Sequence, residues 1–333
     1  MRIGYPCSNL TLRESAARTF RLASYSEARL VEIVDANLDA LQRYLEWNAE
    51  HGIGFFRISS GTIPFASHPV MTFDWQAHYA ERFAGIGRSI AAHNMRINVH
   101  PGQYTLLNSI REDVVEASIA ELAYHAALLD GLRLDHTHKI QIHTGGVYGD
   151  KPAATQRFVA TYGRLSEPIR RRLVIENDER QFNLADTLSI HAETGVPVLF
   201  DVFHHRIFNE GETLAEALDA VIPTWQGHGP AMVDYSSQNP DKQAGAHTAS
   251  IDLDDFGPVL DELVGRDVDL MLEIKDKELS ALKALELVRQ RAIDALPRSC
   301  DYLTVNGRTK RRVIRVVTRY ALPNTDIRRR AKR

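Results

Sequence analysis

Short hydrophobic runs alternate with longer amphipathic segments along most of the chain. Eight runs are rich in Ile, Val, Phe and Leu, as strands buried on both faces of a parallel sheet are. These runs span residues 2–8, 52–60, 96–102, 139–146, 172–179, 197–205, 230–238 and 267–277. The segments between them repeat apolar residues every three or four positions, which predicts helices over 30–50, 75–93, 114–129, 155–169, 184–193, 213–221, 256–264 and 279–293.

A strand followed by a helix, repeated eight times, predicts an α/β fold of the (β/α)8 TIM-barrel type. An open doubly wound sheet is the alternative, but the GxGxxG fingerprint of its dinucleotide-binding version is missing after the first run. Asp74, Asp113 and Asp255 are predicted to cap helices. We expect a barrel domain over residues 1–297 and a basic C-terminal extension over 298–333.

Composition narrows the class of protein. The 333 residues are 44% hydrophobic and 25% charged, which is ordinary for a globular protein. Two cysteines, Cys7 and Cys300, are too few for a disulfide framework or a thiolate zinc site, and this favours a reducing compartment. No apolar run of 18 residues and no signal-peptide core is present, so we expect a cytoplasmic protein. Nothing in the sequence demands more than a monomer.

Charge is distributed unevenly along the chain. The 28 residues from Asn306 onward hold 11 Lys and Arg and one acidic residue, whereas the preceding 305 carry a net charge of −13. Two interpretations stay open for this basic end: a solvated tail, or an arm that contacts phosphate groups.

Candidate chemistry is concentrated at the ends of the predicted strands, where TIM-barrel active sites lie. Each of runs three to eight ends in a His or a carboxylate. An isolated buried charge costs several kcal/mol, so such groups gathered at one mouth need partners. Divalent cations such as manganese, zinc or iron accept mixed His and carboxylate ligands. The candidate ligands are His100, His143, Glu176, Asp201, His204, Asp234, His247 and Glu273.

These eight side chains exceed the needs of one ion, since a tetrahedral zinc takes four ligands. Two or three ions that share bridging carboxylates fit the set better. Such clusters activate water and neutralise charge on a phosphate group.

Several motifs in this sequence resemble those of the UV-damage endonuclease family, TIM barrels related to endonuclease IV. The resemblance extends from residue 2 to about residue 290. It rests on RIGYPCSNL (2–10), FRISSGTIPFASH (56–68), NVHPGQYTLLNS (98–109), IHTGG (142–146), IENDE (175–179), FDVFHH (200–205) and MLEIKDKE (271–278). It implies a DNA repair nuclease that nicks damaged double-stranded DNA 5′ to the lesion, leaving a 3′-hydroxyl and a 5′-phosphate. Cyclobutane dimers, 6-4 photoproducts and abasic sites are all open as lesions.

The resemblance also implies how the ligands are shared among ions. His100, His143 and Glu176 would hold one ion. A second ion, bridged by Glu176, would be held by Glu176, Asp201, Asp234 and Glu273. His204 and His247 would bind a third.

Further roles follow from the same motifs. Glu176 and, beside the cluster, His68 are expected to serve catalysis, and Lys275 either contacts the phosphate or forms an ion pair with Glu273 or another neighbour. Two pairs match family residues that meet the lesion. Gln103 and Tyr104 match the pair that is inserted at the damaged step, and Tyr5 and Asn9 match residues that line the lesion pocket.

Strand seven departs from the family pattern. Family members commonly carry Lys-x-His there, in which the Lys can be carboxylated and the His binds metal. This chain has Met232 and Asp234 at those positions. Met232 cannot be carboxylated, whereas Asp234 supplies oxygen and a negative charge. We therefore expect Mn²⁺, or Mg²⁺, to be preferred over Zn²⁺.

Two other functions compete with the nuclease. The first is a metal-dependent sugar isomerase or epimerase, which also places His, Glu and Asp at strand ends but does not need Gln103 and Tyr104. The second is a DNA-binding homologue whose activity was lost through the changes at Met232 and Asp234. If the protein is a bacterial repair nuclease, we expect association with the nucleoid.

Overall fold

The computed structural model describes residues 1–294, in which eight parallel strands close into a barrel. Neighbours in sequence are neighbours in the sheet, and β8 pairs with β1 to complete the closure. The strands are β1 (Ile3–Pro6), β2 (Phe55–Ile58), β3 (Arg96–Val99), β4 (Lys139–His143), β5 (Leu173–Glu176), β6 (Val198–Asp201), β7 (Ala231–Tyr235) and β8 (Val268–Leu272). The closed order confirms the predicted TIM barrel and excludes the open doubly wound sheet.

Helices cover the outside of the barrel after each strand. Within residues 1–294 they are α1 (Glu27–His51), α2 (Trp75–His78), α3 (Ala80–Ala92), α4 (Glu112–Gly131), α5 (Lys151–Arg164), α6 (Glu167–Arg170), α7 (Leu184–Thr194), α8 (Val202–Ile207), α9 (Leu214–Val221), α10 (Leu253–Leu263) and α11 (Glu278–Asp294). Short 3-10 turns lie at Leu22–Ser24, Ser60–Thr62 and Ile222–Trp225. The predicted helices over 75–93 and 155–169 are each divided in two.

Caps explain where several helices begin. Asp74 caps α2 as predicted, because its carboxylate accepts a hydrogen bond from the Ala77 N–H at 3.0 Å. The predictions at Asp113 and Asp255 are wrong. Helix α4 begins one residue earlier than Asp113. Helix α10 is capped by Asp252, while Asp255 accepts from the Tyr235 hydroxyl at 2.6 Å.

The sixth hydrophobic run turns into a helix sooner than its apolar pattern suggested. Strand β6 ends at Asp201, and α8 begins at the next residue. Asp201 Oδ1 accepts a hydrogen bond from the His204 N–H at 2.7 Å, which caps the first turn. The same carboxylate therefore ends a barrel strand and orients the histidine three residues later.

Polar side chains lie at both ends of the barrel interior. At the N-terminal end, Arg96 Nη1 lies 3.0 Å from Asp269 Oδ2, and Arg2 pairs with the same carboxylate at 2.9 Å. These pairs close the barrel floor, so the carboxyl ends of the strands form the open mouth. No helix among residues 1–294 is long and apolar enough to cross a membrane. The predicted basic extension over 298–333 lies outside the described residues.

Candidate active site

A cavity of about 550 Å³ opens at the carboxyl ends of the strands. This is the end at which TIM barrels place their chemistry. Its walls combine imidazole, carboxylate, guanidinium and ammonium groups with a few apolar side chains. The lining residues are Pro6, Cys7, Arg57, His100, Pro101, Gln103, His143, His247, Glu273, Ile274, Lys275 and Lys277.

Seven of the eight predicted ligands meet at this mouth in three groups of three. Within each group the candidate ligand atoms lie within 4.8 Å of one another. Glu176 belongs to two groups, and so does Asp201, so the groups form a connected series. They are His100, His143 and Glu176; Glu176, Asp201 and His204; and Asp201, Asp234 and Glu273.

His247 lies beside this series. Its Nδ1 donates a hydrogen bond to the backbone carbonyl of Glu273 at 2.8 Å, which fixes the ring and leaves Nε2 free to bind a ligand. The ring centroids of His204 and His247 lie 6.3 Å apart. The structure places His204 closest to Glu176 and Asp201, and its Nε2 lies 3.8 Å from Glu179 Oε2. Glu179 is a carboxylate that the sequence analysis did not select.

Glu176 stands at the centre of the site. Its Oε2 lies 3.5 Å from His100 Nε2 and 3.9 Å from His143 Nε2, and its Oε1 lies 3.3 Å from His204 Nδ1. Burial raises the pKa of this carboxyl, but the three imidazoles outweigh burial and hold it well below its usual range. The carboxylate form of Glu176 is therefore favoured, as a ligand must be.

The loop that joins β5 to α7 is tied to β6 by one amide side chain. Asn177 Oδ1 accepts from the Asp201 N–H at 2.9 Å, and Asn177 Nδ2 donates to the Asp201 carbonyl at 3.0 Å. His204 Nδ1 donates to the Asn177 carbonyl at 3.0 Å. These bonds set the spacing between Glu176 and Asp201 independently of any ligand.

Three candidate ligands have their pKa raised by their surroundings. Burial raises the pKa of Asp201 to about 7 and holds the pKa of Asp234 well above its usual range. Burial lowers the pKa of His204, but Asp201 and Glu176 outweigh it and raise the value to about 11. The site therefore holds protons near neutral pH, and a cation that binds there displaces them.

Two polar side chains that the sequence analysis missed lie beneath the ligands. Arg57 on β2 pairs with Asp234 at 2.7 Å and with Glu273. Gln141 on β4 donates from Nε2 to Glu176 at 2.6 Å and to Asp234 at 2.7 Å. A signal for both was present, since Arg57 is the one polar residue of the strand FFRI and Gln141 lies between the two isoleucines of KIQIH.

Buried carboxylate oxygens without hydrogen-bond partners make the site suitable for divalent cations. Asp201 Oδ2 and Asp234 Oδ1 are buried and have no hydrogen-bond partner, which is costly unless a cation or water binds them. Of the four carboxylates in the three groups, Asp234 and Glu273 pair with the buried guanidinium of Arg57. Buried acidic and histidine clusters of this kind could hold metal ions.

The two positions of strand β7 that depart from the family pattern have different surroundings in the structure. Met232 and Asp234 are two residues apart, so both face the same side of the sheet. Asp234 points inward to Arg57 and Gln141, and Met232 is fully buried in the barrel core. The methionine therefore adds apolar packing below the site and supplies no ligand.

The structure does not bring His68 into the ligand groups. The residue is exposed on the loop after β2, and its Nδ1 accepts a hydrogen bond from the Val70 N–H at 3.0 Å. Its ring packs edge-on against Phe65 at 6.3 Å. Its own loop thus engages the imidazole, and a catalytic role for His68 beside the cluster stays a prediction.

Tyr5 and Asn9 lie in the interior instead of lining an open pocket. Both are at most 1% exposed. The Tyr5 hydroxyl donates to Asn48 Oδ1 at 2.8 Å and accepts from Asn9 Nδ2 at 2.9 Å, and Asn9 Oδ1 accepts from the Leu12 N–H at 2.9 Å. The pair thus anchors the loop after β1 to helix α1, which corrects the expected pocket-lining role.

Gln103, Tyr104 and Lys275 are accessible at the mouth. Gln103 lines the cavity, and the Tyr104 side chain next to it is 81% exposed. Lys275 is exposed and also lines the cavity. No ion pair of its ammonium with Glu273 occurs among residues 1–294, so that alternative is not realised.

The loop carrying Gln103 and Tyr104 is braced by the next loop of the barrel. Asn108 Nδ2 donates to the Gly146 carbonyl at 2.9 Å. Gly145 has a φ of +111°, and a Cβ there would lie 2.3 Å from Asn108 Oδ1, so only glycine fits. This explains the first glycine of the IHTGG motif.

The comparisons with known proteins agree with this geometry. The family model described as UV-endonuclease UvdE matches residues 1–302. A UV DNA damage endonuclease of Clostridium perfringens is 39% identical over 293 residues, covering 87% of this chain and 71% of the relative. The crystal structure of SacUVDE is 44% identical, with a TM-score of 0.84, and the match covers 87% of this chain and 99% of that one.

A more distant likeness supports the fold alone. Endonuclease IV from Thermus thermophilus superposes with a TM-score of 0.54 at 17% identity, covering 77% of this chain and 95% of that one. The family match confirms the predicted family and the predicted class of enzyme, a DNA repair endonuclease, and it counts against a sugar isomerase. The chain belongs to the UV-endonuclease family.

Proposed function

We propose that this endonuclease uses two or three divalent cations to hydrolyse the backbone of damaged duplex DNA 5′ to the lesion, leaving a 3′-hydroxyl and a 5′-phosphate. The observation that carries the proposal is the connected series of ligand groups, in which Glu176 and Asp201 are each shared between two groups. Shared carboxylates are the arrangement that holds neighbouring cations around one phosphate group.

The position of each residue in the site suggests its role. His100, His143 and Glu176 would hold one cation, and Asp201, Asp234 and Glu273 would hold another. His204 and His247, whose ring centroids lie 6.3 Å apart, would supply further imidazoles. Bound cations of this kind lower the pKa of water and neutralise charge on a phosphate. The exposed Lys275 adds a positive group at the cavity wall, where a phosphate would enter.

We infer a preference for Mn²⁺, with Mg²⁺ as a substitute and Zn²⁺ as the poorer fit. The group of Asp201, Asp234 and Glu273 offers oxygen ligands alone, and hard cations favour oxygen. The group of His100 and His143 includes imidazole, which manganese also accepts.

Lesion recognition is assigned to the loop after β3. Damaged steps stack poorly, so opening them costs less than opening an intact step. Tyr104 is exposed enough to stack in the gap, and Gln103 offers an amide to an unpaired base. We further propose a monomer that acts in the cytoplasm at the nucleoid, with the basic extension over 298–333 as an additional phosphate contact.

The proposal is tested by mapping the cut. A duplex with one cyclobutane dimer, one with a 6-4 photoproduct, one with an abasic site and one undamaged duplex are each incubated with protein and Mn²⁺. Denaturing gels locate the nick, and extension by a polymerase tests for the 3′-hydroxyl. A nick 5′ to at least one lesion with an extendable end is the expected result. Cleavage of the undamaged duplex at the same rate, or an end that cannot be extended, contradicts the proposal.

A further inference from the structure

We propose that Arg57 and Gln141 are positioning residues of the metal centre. Together they hold one oxygen of Asp234, and Arg57 also holds one oxygen of Glu273, so that the other oxygen of each carboxylate is directed toward a cation. The inference rests on the proposed metal-dependent function and deepens it. Neither residue is among the ligand groups, yet both contact members of them.

Three carboxylates of the site share one pattern of hydrogen bonds. Asp234 Oδ2 accepts from Arg57 Nη2 at 2.7 Å, and the other oxygen, Oδ1, has no partner. Glu273 Oε1 accepts from Arg57 Nη1. Asp201 Oδ1 accepts from the His204 N–H, and Oδ2 has no partner. In Asp201, Asp234 and Glu273 alike, a protein donor holds one oxygen, which leaves the other available.

The side-chain amide of Gln141 can form its hydrogen bonds in one orientation only. Its Oε1 accepts from Arg57 Nη2 at 2.7 Å and from Asn98 Nδ2 at 3.0 Å. Its Nε2 donates to Glu176 and to Asp234. Reversing the amide would set its NH₂ against two donors and its oxygen against two carboxylates, so the network fixes the direction of both ends.

The guanidinium of Arg57 is better suited to holding these side chains than an ammonium group would be. Arg57 reaches Asp234, Glu273 and Gln141 through two nitrogens of one rigid plane, which an ammonium cannot do from a single nitrogen. Arg57 is 4% exposed, so solvent does not weaken these contacts. The position of Asp234 is thereby set by contacts within the protein.

The experiment uses two substitutions that leave the charge of the site unchanged, Arg57→Lys and Gln141→Met, in the full-length protein. Mn²⁺ alone is the probe, and the electron paramagnetic resonance signal of free Mn²⁺ gives affinity and stoichiometry. Arg96→Lys is the matched control, because Arg96 is equally buried and paired with Asp269 at the other end of the barrel. Circular dichroism and thermal unfolding check the folded state of each variant.

Each substitution is expected to weaken one class of Mn²⁺ site by about 10- to 100-fold, as removal of residues that orient ligands usually does. The control should bind as the native protein does. Unchanged or tighter binding in both folded variants overturns the proposal, and so does loss of the folded state in both, because the two residues would then serve the fold alone. If the native protein binds no Mn²⁺, the proposed function fails before this inference is reached.

Discussion

His100 Nε2 lies 3.5 Å from Glu176 Oε2, whereas His204 Nδ1 lies 3.3 Å from the other oxygen of the same carboxylate, Oε1. The two oxygens of Glu176 thus face two different ligand groups. A side chain in this position links the charge states of both groups, so its replacement should disturb more than one cation.

Mn²⁺ should stabilise the fold, because it pairs carboxylates that are otherwise buried together. At a free concentration 100 times its Kd, a bound ligand adds about 2.7 kcal/mol to the free energy of unfolding. Thermal unfolding with Mn²⁺ should therefore occur at a higher temperature than with EDTA, and Glu176→Gln should reduce the difference. An equal melting temperature in Mn²⁺ and EDTA would contradict the metal assignment.

Tyr104→Ala should weaken binding to damaged DNA by about 1–3 kcal/mol, the usual loss when one stacking partner of a base is removed. The side chain is 81% exposed, so the variant should fold as the native protein does. Fluorescence anisotropy with a lesion-bearing duplex measures the change. Ile110→Ala is the matched control, since Ile110 is also exposed, at 67%, on the same loop. Equal losses in both variants would argue against a specific stacking role.

Lys139 should make the stability of the protein depend on pH. Burial lowers the pKa of its ammonium to about 7, and the group donates to the Arg171 carbonyl and to His228 Nδ1, both at 3.0 Å. Above pH 7 the unfolded chain holds a proton on this residue that the folded chain lacks. The contribution of Lys139 to stability therefore rises with pH between about 7 and 10.4, by up to about 1.4 kcal/mol per unit.

Lys139→Met should flatten that rise in denaturant unfolding measured from pH 6.5 to 9. Lys283→Met is the control, because Lys283 lies at the surface and its side chain is 49% exposed. A slope unchanged by Lys139→Met would show that the folded protein keeps this ammonium charged.

Tyr5→Phe should lower the free energy of unfolding by about 1–3 kcal/mol, the cost of leaving a buried polar group unpaired. The substitution removes the donor to Asn48 Oδ1 and the acceptor of Asn9 Nδ2. Chemical denaturation measures the loss. Because Tyr5 is fully buried, affinity for a damaged duplex should stay within about twofold of native. A selective loss of DNA affinity with unchanged stability would restore the pocket-lining role.

The sequence predicted the barrel and most of the site for definite physical reasons. Alternating apolar runs determine strands and helices, and a closed barrel brings all strand ends to one mouth, so His100, Glu176 and Asp234 could be placed together from their positions alone. Contacts across the barrel could not be predicted in this way. Arg57 and Gln141 meet Asp234 only because of the register of β2, β4 and β7.

Two side chains that were assigned by motif position were misplaced for a different reason. Tyr5 and Asn9 were assigned by motif position, but which side of the strand and loop they face depends on hydrogen bonds with Asn48 in helix α1. His68 accepts a hydrogen bond from the Val70 N–H, a contact within its own loop that the spacing of ligands does not predict. The position of a residue in a motif predicts its approximate location in the fold, whereas the direction of its side chain depends on its hydrogen-bond partners.

The most direct test of the account is nicking of an end-labelled duplex that carries one defined photoproduct, by native protein and by Glu176→Gln, with Mn²⁺ or with EDTA. We expect one nick 5′ to the lesion with Mn²⁺, none with EDTA, and a rate reduced by at least about 100-fold in Glu176→Gln. Ile110→Ala serves as the active control. Cleavage that persists in EDTA, or that Glu176→Gln performs at the native rate, would contradict the metal-dependent mechanism.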